Sequence, residues 1–286
     1  MRPRLDALSG RLDRLARARR RPRPLADRYR GPLAPAPFVD RLSDDDLATL
    51  NRLLPWQAFT ADAHGRGFGG TAWSGKRVDP QALPDPRIER FHERFDLTGR
   101  HVLEVGCFEG IHTIALCRLA GRVTAIDARI ENVVKTLVRC GMYDVQPRVF
   151  TYDVESSGDG LEDMLRADLC HHVGVLYHLA DPIAHLRRLG NWTRRGVMLD
   201  THVAAPTDAL DDYEVDGRRF RYRRFRESGR EDVFSGMREH SKWLLLDDLV
   251  EALRTVARFD RVDVVEERAE RNGPRVLIFA ERRARA

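Results

Sequence analysis

Cysteine is scarce: the 286 residues include four, at 107, 117, 140 and 170, with neither a CxxC pair nor a loop-stapling spacing. That excludes a structural zinc knot and a disulfide-framed secreted scaffold, and leaves free thiols in a reducing compartment. No apolar run approaches the roughly 20 residues that cross a bilayer. The N-terminal stretch also lacks the apolar centre of a secretory signal, so a cytoplasmic chain with no membrane partner is expected. Nor does charge of one sign dominate. Lys and Arg number 49 against 44 Asp and Glu, a net of +5, which permits a phosphate-bearing partner without requiring one. With 42% apolar residues, the chain can form one sizeable core with an appendage.

Composition and punctuation divide the chain into three stretches. Residues 1–40 are rich in Arg and Pro. Leu5, Leu8, Leu12 and Leu15 put a narrow apolar stripe on a basic helix, and Pro22 to Pro37 turn it into a linker. Such a helix docks on its own domain, forms the seam of a homo-oligomer, or serves as a nucleic-acid arm. Residues 41–97 begin with Ser43 before three aspartates, a helix start, with Leu47, Leu50 and Leu54 as its buried face and Pro55 as its stop. Trp56 to Arg77 holds so many glycines that a loop or lid is expected, and Asp85 to Phe95 reads as a helix.

Residues 98–286 carry the chemistry. His101-Val-Leu-Glu-Val-Gly-Cys-Phe-Glu-Gly-Ile-His112 is an apolar run that breaks into a turn with Gly106 and Gly110, then continues with helical spacing. Strand, glycine turn and helix together present backbone N–H groups to an anionic or hydrogen-bonding ligand. The next apolar run closes on Asp127, about twenty residues past the turn, the position from which a carboxylate accepts ribose hydroxyls. A third run ends at Asp153, a fourth covers Ala167 to Val173, and a fifth covers Gly196 to His202. Alternating strands and helices call for an α/β, Rossmann-like, doubly wound parallel sheet with its ligand beyond the strand C-termini. An insert at 203–242 interrupts them, with a hairpin signal at Asp216-Gly217. Its arginines (218, 219, 221, 223, 224 and 226) either grip phosphate or line a solvated strand face. A helix from Trp243 and two final strands close the chain.

Glu104 followed by Gly-x-x-x-Gly resembles the first motif of class I S-adenosylmethionine (SAM) methyltransferases. That resemblance implies a seven-stranded, mostly parallel sheet whose last strand is antiparallel. It also implies that Glu104, Gly106, Phe108 and Gly110 hold the amino-acid end of SAM, that Asp127 holds the ribose, and that Asp153, Val154 and Glu155 face the adenine. Gly174-Val-Leu-Tyr-His178 with Asp181-Pro182, Pro55-Trp56, Thr71-x-Trp73, Lys76, Gly110-x-His112 and Arg275 are similar to the tRNA wobble-uridine carboxymethyltransferase family, which uses carboxy-SAM. The similarity runs over residues 55–286. By it, Trp73, Lys76, Gly106, Asp127, Ala128, Arg129, Val154, Glu155, Val173, Tyr177 and Arg275 line the donor pocket.

Two positions depart from that family. Phe108 stands where it has glycine, and Gln57-Ala58 replaces the lysine that follows its Pro-Trp pair. An unpaired buried carboxylate costs several kcal/mol, so ordinary methyl transfer from SAM is expected, with carboxy-SAM second. The acceptor is expected to be a small metabolite, sugar or natural product attacked through O or N, with tRNA the alternative. A base, where one is needed, would stand at the end of strand four or five: His178, Asp200 or His202. His171 and His172 lie within a strand and His112 braces the loop, so none was assigned to the site, and no metal is expected.

Overall fold

In the computed structural model, the described residues are 36–69, 79–156, 160–208 and 210–283. The N-terminal helix expected within 1–40, and with it the oligomer seam, falls almost wholly outside them.

The elements run α1 (Asp44–Leu53), β1 (Thr60–Ala61), β2 (Gly67–Phe68), α2 (Pro86–Phe95), β3 (His101–Val105), α3 (Ile111–Leu119), β4 (Arg122–Asp127), α4 (Ile130–Met142) and β5 (Arg148–Thr151). They continue with β6 (Ala167–Val173), α5 (Pro182–Trp192), β7 (Thr193–His202), β8 (Asp211–Val215), β9 (Arg218–Arg226), β10 (His240–Leu244), α6 (Leu246–Thr255), β11 (Arg261–Glu270) and β12 (Gly273–Glu281). Seven strands form the central sheet in the order β11-β12-β7-β6-β3-β4-β5. β3 pairs in parallel with β4 and β6, while β12 is antiparallel to both neighbours. This is the Rossmann-like doubly wound sheet that the alternation of strands and helices calls for.

The period of two along β3 sorts its side chains between two cores. Leu103 and Val105 face the α5 and α6 side with Ile183, Leu186, Leu249 and Leu253. Val102 faces the α2 and α3 side with Ile88, Phe91, Ile114 and Leu116. Each such side chain contributes about 1.5–3 kcal/mol when fully buried, and β3 is buried along its whole length.

Three expectations need correction. The glycine-rich segment after Trp56 is not a loose loop over its described part. Thr60–Ala61 pairs with Gly67–Phe68, and Phe59 and Phe68 are buried. Charges on α4 and at the glycine turn hold it down: Glu109 accepts from the amides of Gln57 and Ala58 and pairs with Lys135 at 2.9 Å, while Arg139 donates to the carbonyls of Ala58 and Phe68. These charges are buried as a partnered set, the form in which an interior tolerates them. Second, the insert is more than a hairpin: β8, β9 and β10 form a three-stranded antiparallel sheet. Third, the helix expected from Trp243 begins at Leu246, because His240 to Leu244 pairs with β9. The alternation Ser241, Trp243 inward was hidden by the apolar run that follows.

Candidate active site

β3 delivers the chain into the turn at 106–110. Gly106 and Gly110 take φ of +78° and +82°, values that favour glycine. A Cβ on Gly106 would lie 2.3 Å from Val175 Cγ2, so the residue is needed for close approach as well as for its φ. Phe108 also has positive φ, at +50°. Its amide donates to Asp127 at 3.0 Å, and the same carboxylate accepts from Arg129 N and Asn132 Nδ2. A carboxylate offers about four acceptor positions. Asp127 therefore ties the glycine turn to the β4–α4 junction and keeps about one position for a ligand. Burial raises its pKa, and the three donors pull in the opposite direction.

A cleft of about 1040 Å³ opens beyond the C-terminal ends of the parallel strands. Of the residues expected at the site, Gly106, Phe108, Asp127, Ala128, Arg129, Asp153, Val154, Glu155, Val173, Tyr177, His178 and Arg275 are brought together on its wall. Glu104, Gly110, Asp200 and His202 are not on that wall. Trp73 and Lys76 lie outside the described residues.

Several of these side chains have work other than ligand contact. Glu104 is turned toward α3, where it accepts from the Thr113 hydroxyl at 2.5 Å. Burial pushes its carboxyl up to about 8 although that hydroxyl opposes the shift. Arg129 spreads its guanidinium over the backbone carbonyls of Gly229, Arg230, Asp232 and Ser235. Phe108 meets Phe234 at a ring distance of 5.6 Å. Together they fasten the loop at 229–235 across the mouth of the glycine turn. Glu155 accepts from the amides of Ala180 and Asp181, and Asp153 accepts from Glu155 N, so these acids shape the wall by fixing backbone.

The opposite end of the cleft is charged but compensated. Asp200 is fully buried and is met by Arg268 at 2.6 Å, Arg87 at 3.3 Å and the Nε of Arg275. Burial opposes ionisation of Asp200, but the three guanidiniums outweigh it and hold the carboxyl below its ordinary range. A group held this way is a poor proton acceptor. His202 stacks on Trp243 at 4.8 Å and places Nδ1 3.1 Å from the Pro274 carbonyl. Burial lowers its pKa. Of the expected bases, neither of these faces the cavity.

His178 does. Its Nδ1 lies 3.0 Å from Glu227, which also accepts from the hydroxyls of Ser235 and Ser241 and from Gly236 N. Burial works against an ionised Glu227, yet His178 and these donors keep its carboxyl below the usual range. A carboxylate can only accept, so it fixes the proton on Nδ1 and leaves Nε2 with a lone pair. Sequence reasoning missed Glu227: it sits in the insert, 49 residues from His178, and carries no local motif. Arg87 and Arg268 are likewise far along the chain from the Asp200 they meet, while Asn132, five residues from Asp127, lies inside the helix that follows it and carries no motif of its own.

No protein-family model matches the chain. It is 29% identical over 195 residues, 60% of this chain and 55% of the relative, to a tRNA U34 carboxymethyltransferase of Pseudomonas aeruginosa. It is 31% identical over 123 residues, 43% of this chain and 50% of the relative, to a ubiquinone biosynthesis O-methyltransferase of Xanthomonas oryzae pv. oryzae. The chain thus spans about half the length of the curated relatives it matches. Among solved structures, the N-terminal domain of EvdMO1, crystallised in the presence of SAH and D-fucose, superposes with a TM-score of 0.64 at 25% identity. That superposition covers 85% of this chain and 98% of the other.

Proposed function

We propose that this chain, which has the Rossmann-like fold of class I SAM-dependent methyltransferases, moves the methyl group of SAM to a hydroxyl of a small polar acceptor, with His178 as the base. The observation that carries the reading is the His178–Glu227 pair at 3.0 Å on the wall of the cleft that also holds the glycine turn and Asp127. When bound, SAM supplies an electrophilic methyl on a sulfonium. The chain's own residues align and deprotonate. With SAM bound, its methyl would pass in line to the acceptor oxygen as the S–C bond breaks to a neutral thioether, and His178 Nε2 would take the hydroxyl proton. Glu227 stabilises the imidazolium that results. Alignment contributes on the order of 7–11 kcal/mol in reactions of this kind, and a positioned base roughly 10²–10⁴-fold. An oxygen nucleophile makes use of such a base, whereas a neutral amine nitrogen does not need one.

SAM is favoured over carboxy-SAM by the state of the cleft's cations. Arg87, Arg268 and Arg275 share Asp200, and Arg90 pairs with Glu266. At Gln57-Ala58, the backbone amides serve Glu109. A donor carboxylate would compete with these acids for the guanidinium N–H groups. A small acceptor is favoured over tRNA by the insert, where four of the six arginines on β9 are answered by acids: Arg218 by Glu251, Arg219 by Asp212, Arg221 by Asp248 and Arg223 by Asp208. The structural neighbour crystallised in the presence of SAH and D-fucose makes neutral sugars the first acceptors to try.

The test is product mass after incubation with SAM and a panel of hydroxyl-bearing sugars. One added methylene that disappears in His178→Ala is expected. A carboxymethyl group appearing on tRNA, with binding that weakens steeply as salt rises, would establish the alternative.

A further inference from the structure

Beneath the glycine turn, where His112 and Asp85 line the edge of the cleft, three side chains converge that the proposed reaction does not use. Glu104 on β3 and His171 on β6 are opposite one another in the parallel ladder, and both are buried. His112, at the start of α3, meets the His171 ring edge to face at 5.1 Å. One ligand atom from each of the three lies within 4.8 Å of the other two. Neither ring nitrogen of His171 has a hydrogen-bond partner, although the residue is 1% exposed. A buried imidazole without a partner is costly, and the Glu104 carboxylate stands 4.0 Å from Nδ1, beyond hydrogen-bond reach.

We propose that Glu104, His112 and His171 form a site for one divalent transition-metal ion, held by two imidazoles and a carboxylate. The donor set suits Zn, Fe, Co or Mn in the divalent state. An ion would give His171 the partner it lacks and would draw the three ligand atoms inward. The Asp85 carboxylate, 3.4 Å from His112 Nε2, stands behind that imidazole as carboxylates commonly stand behind metal-bound histidines, where they fix tautomer and ring orientation. The ion would tie β3, β6 and the start of α3 together directly behind the turn at 106–110.

The experiment uses the full chain stripped with a chelator and titrated with Co(II), followed by visible absorption and by elemental analysis, with Zn(II) as competitor. One equivalent of cobalt with d–d bands, displaced by zinc, is expected. His171→Phe, which places a ring beside Phe91, should weaken the ion by more than the roughly 10–100-fold that loss of an outer partner costs, with SAM affinity retained, and Glu104→Gln should weaken the ion as much. His112→Asn, at a half-buried position, provides a variant whose folding is least at risk. No stoichiometric cobalt, or cobalt binding unchanged in His112→Asn and His171→Phe, would overturn the site. Because the readout is metal stoichiometry and spectrum, failure here leaves the methyl-transfer reading to its own test.

Discussion

At the glycine-turn end of the cleft, the carboxylate of Asp127 is held by Phe108, Arg129 and Asn132, donors 19, 2 and 5 residues away. At the other end, the carboxylate of Asp200 is held by Arg268 and Arg275, 68 and 75 residues away, and by Arg87 from α2. One end is made of turns, mostly with backbone donors, and retains unused acceptor capacity. The other is made of long side chains that already satisfy each other. A pocket wall can thus be assembled from strand ends and the turns that follow them, whereas the charged cluster at Asp200 requires distant segments to meet.

Substitutions can break or sharpen that contrast. The largest effect is expected from His178→Ala, which should lower kcat by about 10²–10⁴-fold while leaving SAM binding by calorimetry close to wild type. A loss of SAM affinity as large as the loss of kcat would instead make His178 part of the cofactor's seat. Next comes Asp200→Asn, which takes the buried carboxylate from three part-buried guanidiniums that keep only Asp85, Glu266 and Glu270 among the described residues and should destabilise by about 3 kcal/mol, read by chemical denaturation. Because the Asp200 carboxyl is held below its ordinary range, its stabilising contribution is present above roughly pH 4 and is lost as pH falls further. The wild-type melting temperature should therefore drop on acidification more than that of the variant. An equal drop would remove the guanidinium cluster from the account.

Asp127→Ala removes an acceptor for a ribose hydroxyl and should weaken SAM by about 1.5–3 kcal/mol, the worth of a hydrogen bond to a charged group. Unchanged SAM affinity in a folded variant would refute the ribose role. The smallest effect belongs to Phe234→Ala. It removes the ring pair with Phe108, worth about 0.5–1.5 kcal/mol, and should raise the KM for SAM a few-fold with kcat unchanged.

The same contrast explains what could be read from the sequence. β3, its glycine turn and Asp127 were legible because an apolar run, two glycines and a terminal acid at fixed spacing are local signals. The doubly wound sheet followed from strands and helices taking turns. The short β1–β2 hairpin was hidden because its stability comes from Glu109, Lys135 and Arg139, charges that a linear reading places on solvent. β10 was hidden because Trp243 begins an apolar run that suits a helix equally well. Glu227, Arg87 and Arg268 were illegible in principle: nothing near them in the chain says that His178 or Asp200 will be their neighbour. His171 was visible as a strand histidine, but its lack of a hydrogen-bond partner became evident only in three dimensions.

The central claim is that the cleft seats SAM beside cations that are already spoken for. Calorimetric titration of the wild-type chain with SAM and, separately, with carboxy-SAM tests it most directly. SAM should bind, and carboxy-SAM should bind more weakly, because its extra carboxylate finds Arg275 and Arg268 occupied by Asp200. Carboxy-SAM binding as tightly as SAM or more tightly, or no binding of either, would contradict the account.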